Sequence, residues 1–345
     1  MKRFQRGLIV GKFAPLHLGH DHLIRRGLEE CNELVVISYT RPEFPEFPPA
    51  LRRQWLETLY PRATLMVLDS RDPALCVPDN AAPDEVHREF VSRLLIERIG
   101  KPLDAVFTSE SYGDGFAESL TRNLTKQGIQ NHVVTHVNVD QARTLFPVSG
   151  TLVRSSLPAF RHLLPPAVSE TLPRSVCLLG AESTGKSTLA RELAARLNTV
   201  FVEEYGRTLW EQKNGRLEFE DYLGIARTHI RMEEEARLRA NRFYFVDTSP
   251  LTTLFYSEAH AGRIDPALTG LSFRDYDHVF LCEPDFPLVQ DGTRGDESFR
   301  ANQHAWYLRM LSERKISYGR LCGSLEERIS AARRSLGHDP ISCRP

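Results

Sequence analysis

Eight residues constrain this chain more than any others. Gly180-Ala181-Glu182-Ser183-Thr184-Gly185-Lys186-Ser187 fits the pattern G-x-x-x-x-G-K-[ST]. An apolar run over 175–179 precedes it, and the helically spaced stretch 186–197 follows. Glycines let such a loop turn so that successive N–H groups point inward, and the helix N-terminus adds positive potential for an anion. A strand, a phosphate cradle and a helix in that order commit the chain to an α/β architecture. The expected ligand is a nucleoside triphosphate such as ATP with Mg2+. Lys186 would reach its outer phosphates and Ser187 would ligate the metal, with Gly180, Glu182, Ser183, Thr184, Gly185 and Thr188 completing the cradle.

The chain has 345 residues, enough for about two domains. Lys and Arg total 44, Asp and Glu 45, and each half is close to neutral. A basic nucleic-acid-binding body is therefore not expected. No apolar run approaches the roughly 20 residues that cross a bilayer. The run 7–10 behind the basic N-terminus is too short for a signal-peptide core, so no membrane association and a cytoplasmic location are expected. The six cysteines are scattered without a C-x-x-C pair, which suits a reducing compartment and disfavours a zinc site.

Strand and helix patterns alternate through the first half. Strands are predicted at 7–13, 33–39, 63–68, 103–109 and 132–137, and helices at 20–31, 50–60 and 84–99. The pattern breaks around Leu163-Leu164-Pro165-Pro166 and Pro173, then restarts. Further strands are predicted at 175–179, 199–202, 243–246, 277–281 and 316–321, with helices at 186–197, through 210, at 220–240 and at 324–335. Two doubly wound parallel-sheet α/β domains are expected, over residues 1–168 and 174–345.

Within the second half, the apolar strand 243–246 ends in Asp247. That carboxylate could be a Mg2+ partner, the base accepting a substrate hydroxyl proton, or a buried cap. The stretch Gln290-Asp291-Gly292-Thr293-Arg294, with Arg300 after it, reads either as an arginine-bearing lid over a transferred phosphoryl group or as a solvated loop. No guanine-reading N-K-x-D sequence is present, which disfavours a GTPase.

In the first half, Gly11-Lys12-Phe13-Ala14-Pro15-Leu16-His17-Leu18-Gly19-His20 stands directly after the first strand. Two histidines three apart could be metal ligands or ordinary surface residues. Gly11 and Gly19 permit close backbone approach, and imidazole N–H groups at a helix start suit an anion, so with Lys12 the site looks built for a triphosphate. Pro147-Val148-Ser149-Gly150-Thr151-Leu152-Val153-Arg154 offers a second wall of two hydroxyls and an arginine, or a capped helix start.

G-x-F-x-P-x-H-x-G-H with a later S-x-T-x-x-R resembles the nucleotidyltransferase superfamily. With the phosphate loop behind it, nearly the whole chain resembles the bifunctional nicotinamide-nucleotide adenylyltransferase/ribosylnicotinamide kinase family. Stretches 52–56, 109–113, 139–143 and 202–207, Asp247-Thr248 and 291–294 carry the likeness further. The resemblance implies a Rossmann-like nucleotidyltransferase domain followed by a kinase domain. The second would phosphorylate nicotinamide riboside with ATP. The first would join nicotinamide mononucleotide to the AMP part of another ATP, giving NAD and pyrophosphate.

The same resemblance implies that His17 and His20 hold the reacting phosphates and that Lys12 and Arg154 offset pyrophosphate charge. Ser149 and Thr151 would hydrogen-bond the phosphates, with Gly11, Phe13 and Gly19 also at the ATP site. Arg52 would contact the mononucleotide, and Trp55 would stack on its pyridinium ring or pack in the core. Glu204, Tyr205 and Arg207 would contact the riboside, with Lys186 and Asp247 catalytic and Arg294 on ATP.

Some relatives carry an N-terminal DNA-binding helix-turn-helix. Only six residues precede Gly7 here, so a form without that module, and no nucleic-acid partner, is expected. Ser249 stands where many relatives have a second acidic residue, and Leu288 where an aromatic is common, which puts the kinase step in question. A homo-oligomer stays open. Two other readings compete: a phosphopantetheine adenylyltransferase/dephospho-coenzyme A kinase fusion, and a nucleotide sensor with an inactive kinase half.

Overall fold

The computed structural model describes residues 1–288 and 295–337. The chain divides into two compact units, Met1–Thr171 and Leu172–Pro345.

The first unit alternates strictly at its start: β1 (Phe4–Gly11), α1 (Leu18–Glu30), β2 (Cys31–Ser38), α2 (Pro49–Leu59), β3 (Thr64–Val67), α3 (Asp84–Arg98), β4 (Ala105–Thr108), α4 (Gly113–Lys126) and β5 (Thr135–Asn138). Short helices α5 (Gly150–Ser155), α6 (Leu157–Phe160) and α7 (Pro166–Ser169) close it. The five strands are parallel in the order β3-β2-β1-β4-β5. Leu8 and Ile9 of β1 and Val35, Val36 and Ile37 of β2 are buried almost completely, which is why these strands read as continuous apolar runs. Because chain order reverses at β1, the connections leave it on opposite sides and open a crevice beyond its carboxyl end.

The second unit contains β6 (Arg174–Leu179), α8 (Lys186–Arg196), β7 (Val200–Val202), α9 (Tyr205–Gln212), α10 (Phe219–Arg239), β8 (Phe243–Asp247), α11 (Pro250–Ala261), α12 (Pro266–Leu271), β9 (His278–Cys282), α13 (Glu297–Glu313), β10 (Gly319–Leu321) and α14 (Leu325–Ser335). Its strands are also parallel, in the order β10-β9-β6-β8-β7. Two apolar layers sandwich this sheet. Leu189 and Leu193 of α8 meet Val176, Leu178 and Phe245 on one side, and Leu251, Leu254, Tyr307 and Leu311 meet Cys177, Leu179 and Leu281 on the other.

Helices α4, α11 and α13 lie where the sequence reading had none. Ser249, a departure from the family pattern, N-caps α11 by accepting a hydrogen bond from Leu251 N at 3.2 Å. Among the described residues, no helix is long and apolar enough to cross a membrane.

Candidate functional site

The first cavity, about 450 Å³, lies at the carboxyl edge of the first sheet, where the ends of β1 and β4 and the loop after β2 meet. His17 N-caps α1, and the two histidines form a reciprocal capping box. His20 N donates to His17 Nδ1 at 3.3 Å and His17 N donates to His20 Nδ1 at 3.4 Å. Their rings stack with centroids 3.6 Å apart.

This geometry fixes the tautomers. Each Nδ1 accepts a backbone N–H and must be unprotonated, so each Nε2 carries the hydrogen and is the donor left for a ligand. Burial lowers the His17 pKa to about 4, with Arg143 and Arg154 contributing. Burial, His17 and Arg143 push His20 well below its ordinary value. Both rings are neutral at pH 7 and, with Nδ1 occupied, offer Nε2–H as a donor. Among the described residues, no group of three His, Cys, Asp or Glu is arranged to hold a metal ion.

Arg154 donates Nη1 to Ala14 O at 2.5 Å and Nη2 to Thr151 Oγ1 at 3.1 Å, with its guanidinium 4.3 Å from the Phe44 ring centre. Ser149 caps α5 through Leu152 N. Gly11, Lys12, His17, Gly19, His20, Ser149, Thr151 and Arg154 therefore line one cavity.

Three expected residues do not line it. The Phe13 ring is buried, at φ 49°, and meets His20 edge-on from beneath. Arg52 is wholly buried and donates to Lys12 O, Ser38 Oγ and Glu43 Oε2, so it props up the loop instead of reaching a ligand. Trp55, 1% exposed, donates Nε1 to Thr171 Oγ1 at 2.8 Å and packs near Phe47. Core packing is therefore the Trp55 outcome, because its apolar ring and single N–H are both satisfied inside. Sequence reading missed the cavity face of α3, where Asp84, His87, Arg88 and Val91 fall at i, i+3, i+4 and i+7.

The second cavity, about 280 Å³, surrounds the phosphate loop. Gly180 has φ +147°, and a Cβ there would stand 2.7 Å from Cys282 O; Gly185 has φ +76°. Two buried arginines hold the loop carbonyls from outside. Arg300 Nη2 donates to Ser183 O at 3.3 Å and Arg328 Nη1 donates to Thr184 O at 2.8 Å. Carbonyls turned outward leave the N–H groups inward, which makes the cradle. Lys186 Nζ rests on Ala181 O at 2.8 Å.

Beneath the loop, Asp247 is 2% exposed and accepts from the Ser187 hydroxyl, while its Oδ1 has no hydrogen-bond partner among the described residues. Burial raises its pKa, with Lys186 opposing. A buried carboxylate oxygen left open beside a serine hydroxyl fits the sparse protein ligation of Mg2+. Glu204 lines the cavity, and its carboxyl is pushed up to about 7 by burial and by the Asp247 charge.

Gly180, Glu182, Ser183, Thr184, Gly185, Lys186, Ser187, Thr188, Glu204 and Arg207 all line this cavity. Tyr205 does not. It opens α9 and is partly buried against the apolar layer that covers one face of the second sheet. Arg294, with the rest of 289–294, lies outside the described residues. Arg300, expected on a loop, sits buried on α13. The sequence reading also missed an aromatic end formed by Trp210, Tyr222, Tyr256 and His260.

Two parallel α/β units, each with a polar cavity at its sheet's carboxyl edge, give the architecture of a nucleotide-binding protein. A family model described as an AAA domain matches residues 175–328. The trifunctional NAD biosynthesis/regulator protein NadR of Escherichia coli (strain K12) is 30% identical over 336 residues, covering 91% of this chain and 78% of that protein. Its counterpart in Salmonella typhimurium is 29% identical over 331 residues, covering 90% and 77%. A solved NadR protein in complex with NR is 20% identical, covering 99% of this chain and 98% of that one, with a TM-score of 0.47. The chain belongs to the NadR family of NAD biosynthesis/regulator proteins. It is accordingly a nucleotide-binding protein of the transferase type, in NAD biosynthesis.

Proposed function

We propose that the chain catalyses two consecutive steps toward NAD. The unit over residues 174–345 phosphorylates nicotinamide riboside with ATP. The unit over residues 1–168 transfers the adenylyl group of a second ATP to the resulting mononucleotide. The observation that carries this reading is the pair of unlike phosphate sites. One is a neutral histidine pair flanked by Lys12 and Arg154; the other is a loop cradle with carboxylates beneath and beside it.

In adenylyl transfer an ionised phosphate oxygen of the mononucleotide attacks the α-phosphorus of ATP. That P–O bond forms, the bond to the bridging oxygen breaks, and its electron pair leaves with pyrophosphate. No base is needed, so positioning and charge stabilisation suffice. His17 and His20 donate Nε2–H to the reacting phosphates without adding net charge. Ser149 and Thr151 add hydroxyl contacts, and Lys12 and Arg154 balance the pyrophosphate.

In the kinase step the acceptor is a ribose hydroxyl, which must lose its proton as it bonds to the γ-phosphorus. Asp247 and Glu204 are the carboxylates available to take it. Lys186 and the loop N–H groups hold the phosphates. Mg2+, held by Ser187 and Asp247, supplies charge neutralisation on the phosphates when bound. The aromatic end at Trp210, Tyr222 and Tyr256 suits a flat cationic ring. The protein acts in the cytoplasm on small molecules, without a nucleic-acid partner.

Product analysis with nicotinamide riboside, ATP and Mg2+ tests both halves. Lys186→Ala should cut riboside use by about 100-fold or more and spare conversion of supplied mononucleotide. His20→Ala should let mononucleotide accumulate. Loss of both steps from either substitution in a folded protein would refute the two-site reading. Pyrophosphate release with phosphopantetheine but not with the mononucleotide would replace it by the coenzyme A reading. ATP binding with no mononucleotide formed would favour a sensor.

A further inference from the structure

One ion pair in the first cavity is not accounted for by that mechanism. Arg143 Nη2 donates to Glu110 Oε1 at 2.8 Å, and both side chains line the cavity, about half exposed. A pair so exposed adds about 0–1 kcal/mol to stability. Yet the loop carrying Arg143 is held with unusual care. Asp140 and Arg143 both adopt left-handed φ, 55° and 53°. The Asp140 carboxylate accepts from Thr144 N, Thr144 Oγ1, Leu145 N and Phe146 N, and Arg143 N donates to Asp140 O at 2.8 Å. Left-handed backbone at non-glycine positions persists where surroundings over-determine it, and here they aim one guanidinium at the cavity.

The charges around the triphosphate site show what that guanidinium is for. Arg154 is already committed to Ala14 O and Thr151 Oγ1. The histidines are neutral. Burial and the Arg154 charge make Lys12 a weaker base than an ordinary lysine. A nucleoside triphosphate brings about four negative charges at neutral pH. Arg88 also lines this space but is paired with Asp84 and Glu85 of its own helix, whereas the Arg143 charge helps depress both His17 and His20, the rings that would donate to the phosphates. Its Glu110 partner is singly charged, whereas a terminal phosphate offers more charge and paired oxygens to a guanidinium fork.

We propose that Arg143 is an exchangeable cation of this cavity, leaving Glu110 for the outer phosphates of the bound triphosphate and following them onto pyrophosphate. Glu110 is then a competitor built into the site. It sets a threshold that a triphosphate or pyrophosphate overcomes more readily than a nucleotide with fewer phosphates, and it recaptures Arg143 as pyrophosphate leaves. This inference rests on the adenylyl-transfer reading for its reaction, but not for its binding chemistry.

The test uses the full chain with mononucleotide and ATP forward, and with NAD and pyrophosphate in reverse. Arg143→Ala should raise KM for ATP and for pyrophosphate by about 10-fold or more, with Arg143→Lys recovering part of the loss because it keeps charge without the fork. Glu110→Gln should shift the same constants the opposite way, lowering KM for pyrophosphate by several-fold. A strap that merely orders the loop would make both substitutions harmful in the same direction. That result, or unchanged constants in Arg143→Ala, overturns the proposal. Calorimetric titration of each variant with inorganic pyrophosphate gives a readout independent of the acceptor. If the wild type makes no dinucleotide but the variants still rank in pyrophosphate affinity as expected, the acceptor assignment fails and the role of Arg143 stands.

Discussion

Replacing Arg328 with methionine asks how much the phosphate loop depends on a residue 144 positions away from it. The guanidinium is 2% exposed and every donor group is used. Nε donates to Gly323 O at 2.9 Å, Nη1 to Thr184 O at 2.8 Å, and Nη2 to Glu283 O at 2.9 Å and to the Asp285 carboxylate. Three carbonyl bonds at about 1 kcal/mol each and one charge-assisted bond at about 2 kcal/mol make a gross loss of about 5 kcal/mol. Methionine fills similar space and no longer buries a charge, which returns part of this and leaves a net loss of about 3–4 kcal/mol. The three tryptophans give the assay. Trp55 lies in the first unit and Trp210 and Trp306 in the second, so urea unfolding followed by fluorescence in a Trp55→Phe background reports the second unit. Freed from Arg328, Thr184 O no longer fixes the loop, and KM for ATP in riboside phosphorylation should rise about 10-fold. A stability loss below about 1 kcal/mol, or a full loss with KM unchanged, would refute the claim that the outward carbonyls are what shape the cradle.

Protonation should also be measurable. The folded-state pKa of His17 is about 4, below its ordinary value, so the unfolded chain binds that proton first. Stability is therefore complete above pH 6.5 and falls by about 3 kcal/mol as pH drops toward 4. His17→Asn keeps a capping oxygen and should flatten that slope; an unchanged slope would reject the assignment. For Glu204 the sign reverses. Its carboxyl is raised to about 7, so the second unit should melt higher as pH falls from 8 to 5.5 without nucleotide, and Glu204→Gln should remove the gain. Trp55→Phe should cost about 1 kcal/mol through the lost bond to Thr171 while leaving KM for mononucleotide within about two-fold. A 10-fold rise in that KM at unchanged stability would return Trp55 to the binding site.

Much of this molecule is legible from residue patterns, and the exceptions have physical causes. β1, β2, β6 and β8 are buried on both faces and read as apolar runs, and the two phosphate motifs follow β1 and β6 directly. Helix α11 was missed because it is buried nearly all round: Leu251, Thr252, Thr253, Leu254, Phe255 and Ser257 are all inside, so no polar stripe marks its period. Arginines misled for a different reason. Arg52 was read as ligand-facing and Arg300 as a loop charge, yet both are buried because main-chain carbonyls far away in sequence accept their hydrogens. Such carbonyls carry no sequence signature. The cavity face of α3 and the aromatic end beside the phosphate loop were hidden likewise, since which side of an element meets a crevice depends on the sheet order.

The two sites share a closing device with a consequence for synthesis. Arg154 returns to Ala14 O across 140 residues, and Arg328 returns to Thr184 O across 144. In each unit the strand and phosphate loop are made first, and the arginine that sets a loop carbonyl is made near the end. As the chain leaves the ribosome, the histidine cavity can be completed once residue 154 has emerged, before most of the second unit exists. The other cradle must wait for residue 328. Each loop-closing contact is also strongly non-local, so ordering of both cradles should come late in folding. A nascent chain therefore gains its two cavities one after the other, the histidine cavity before the one around the glycine-rich loop.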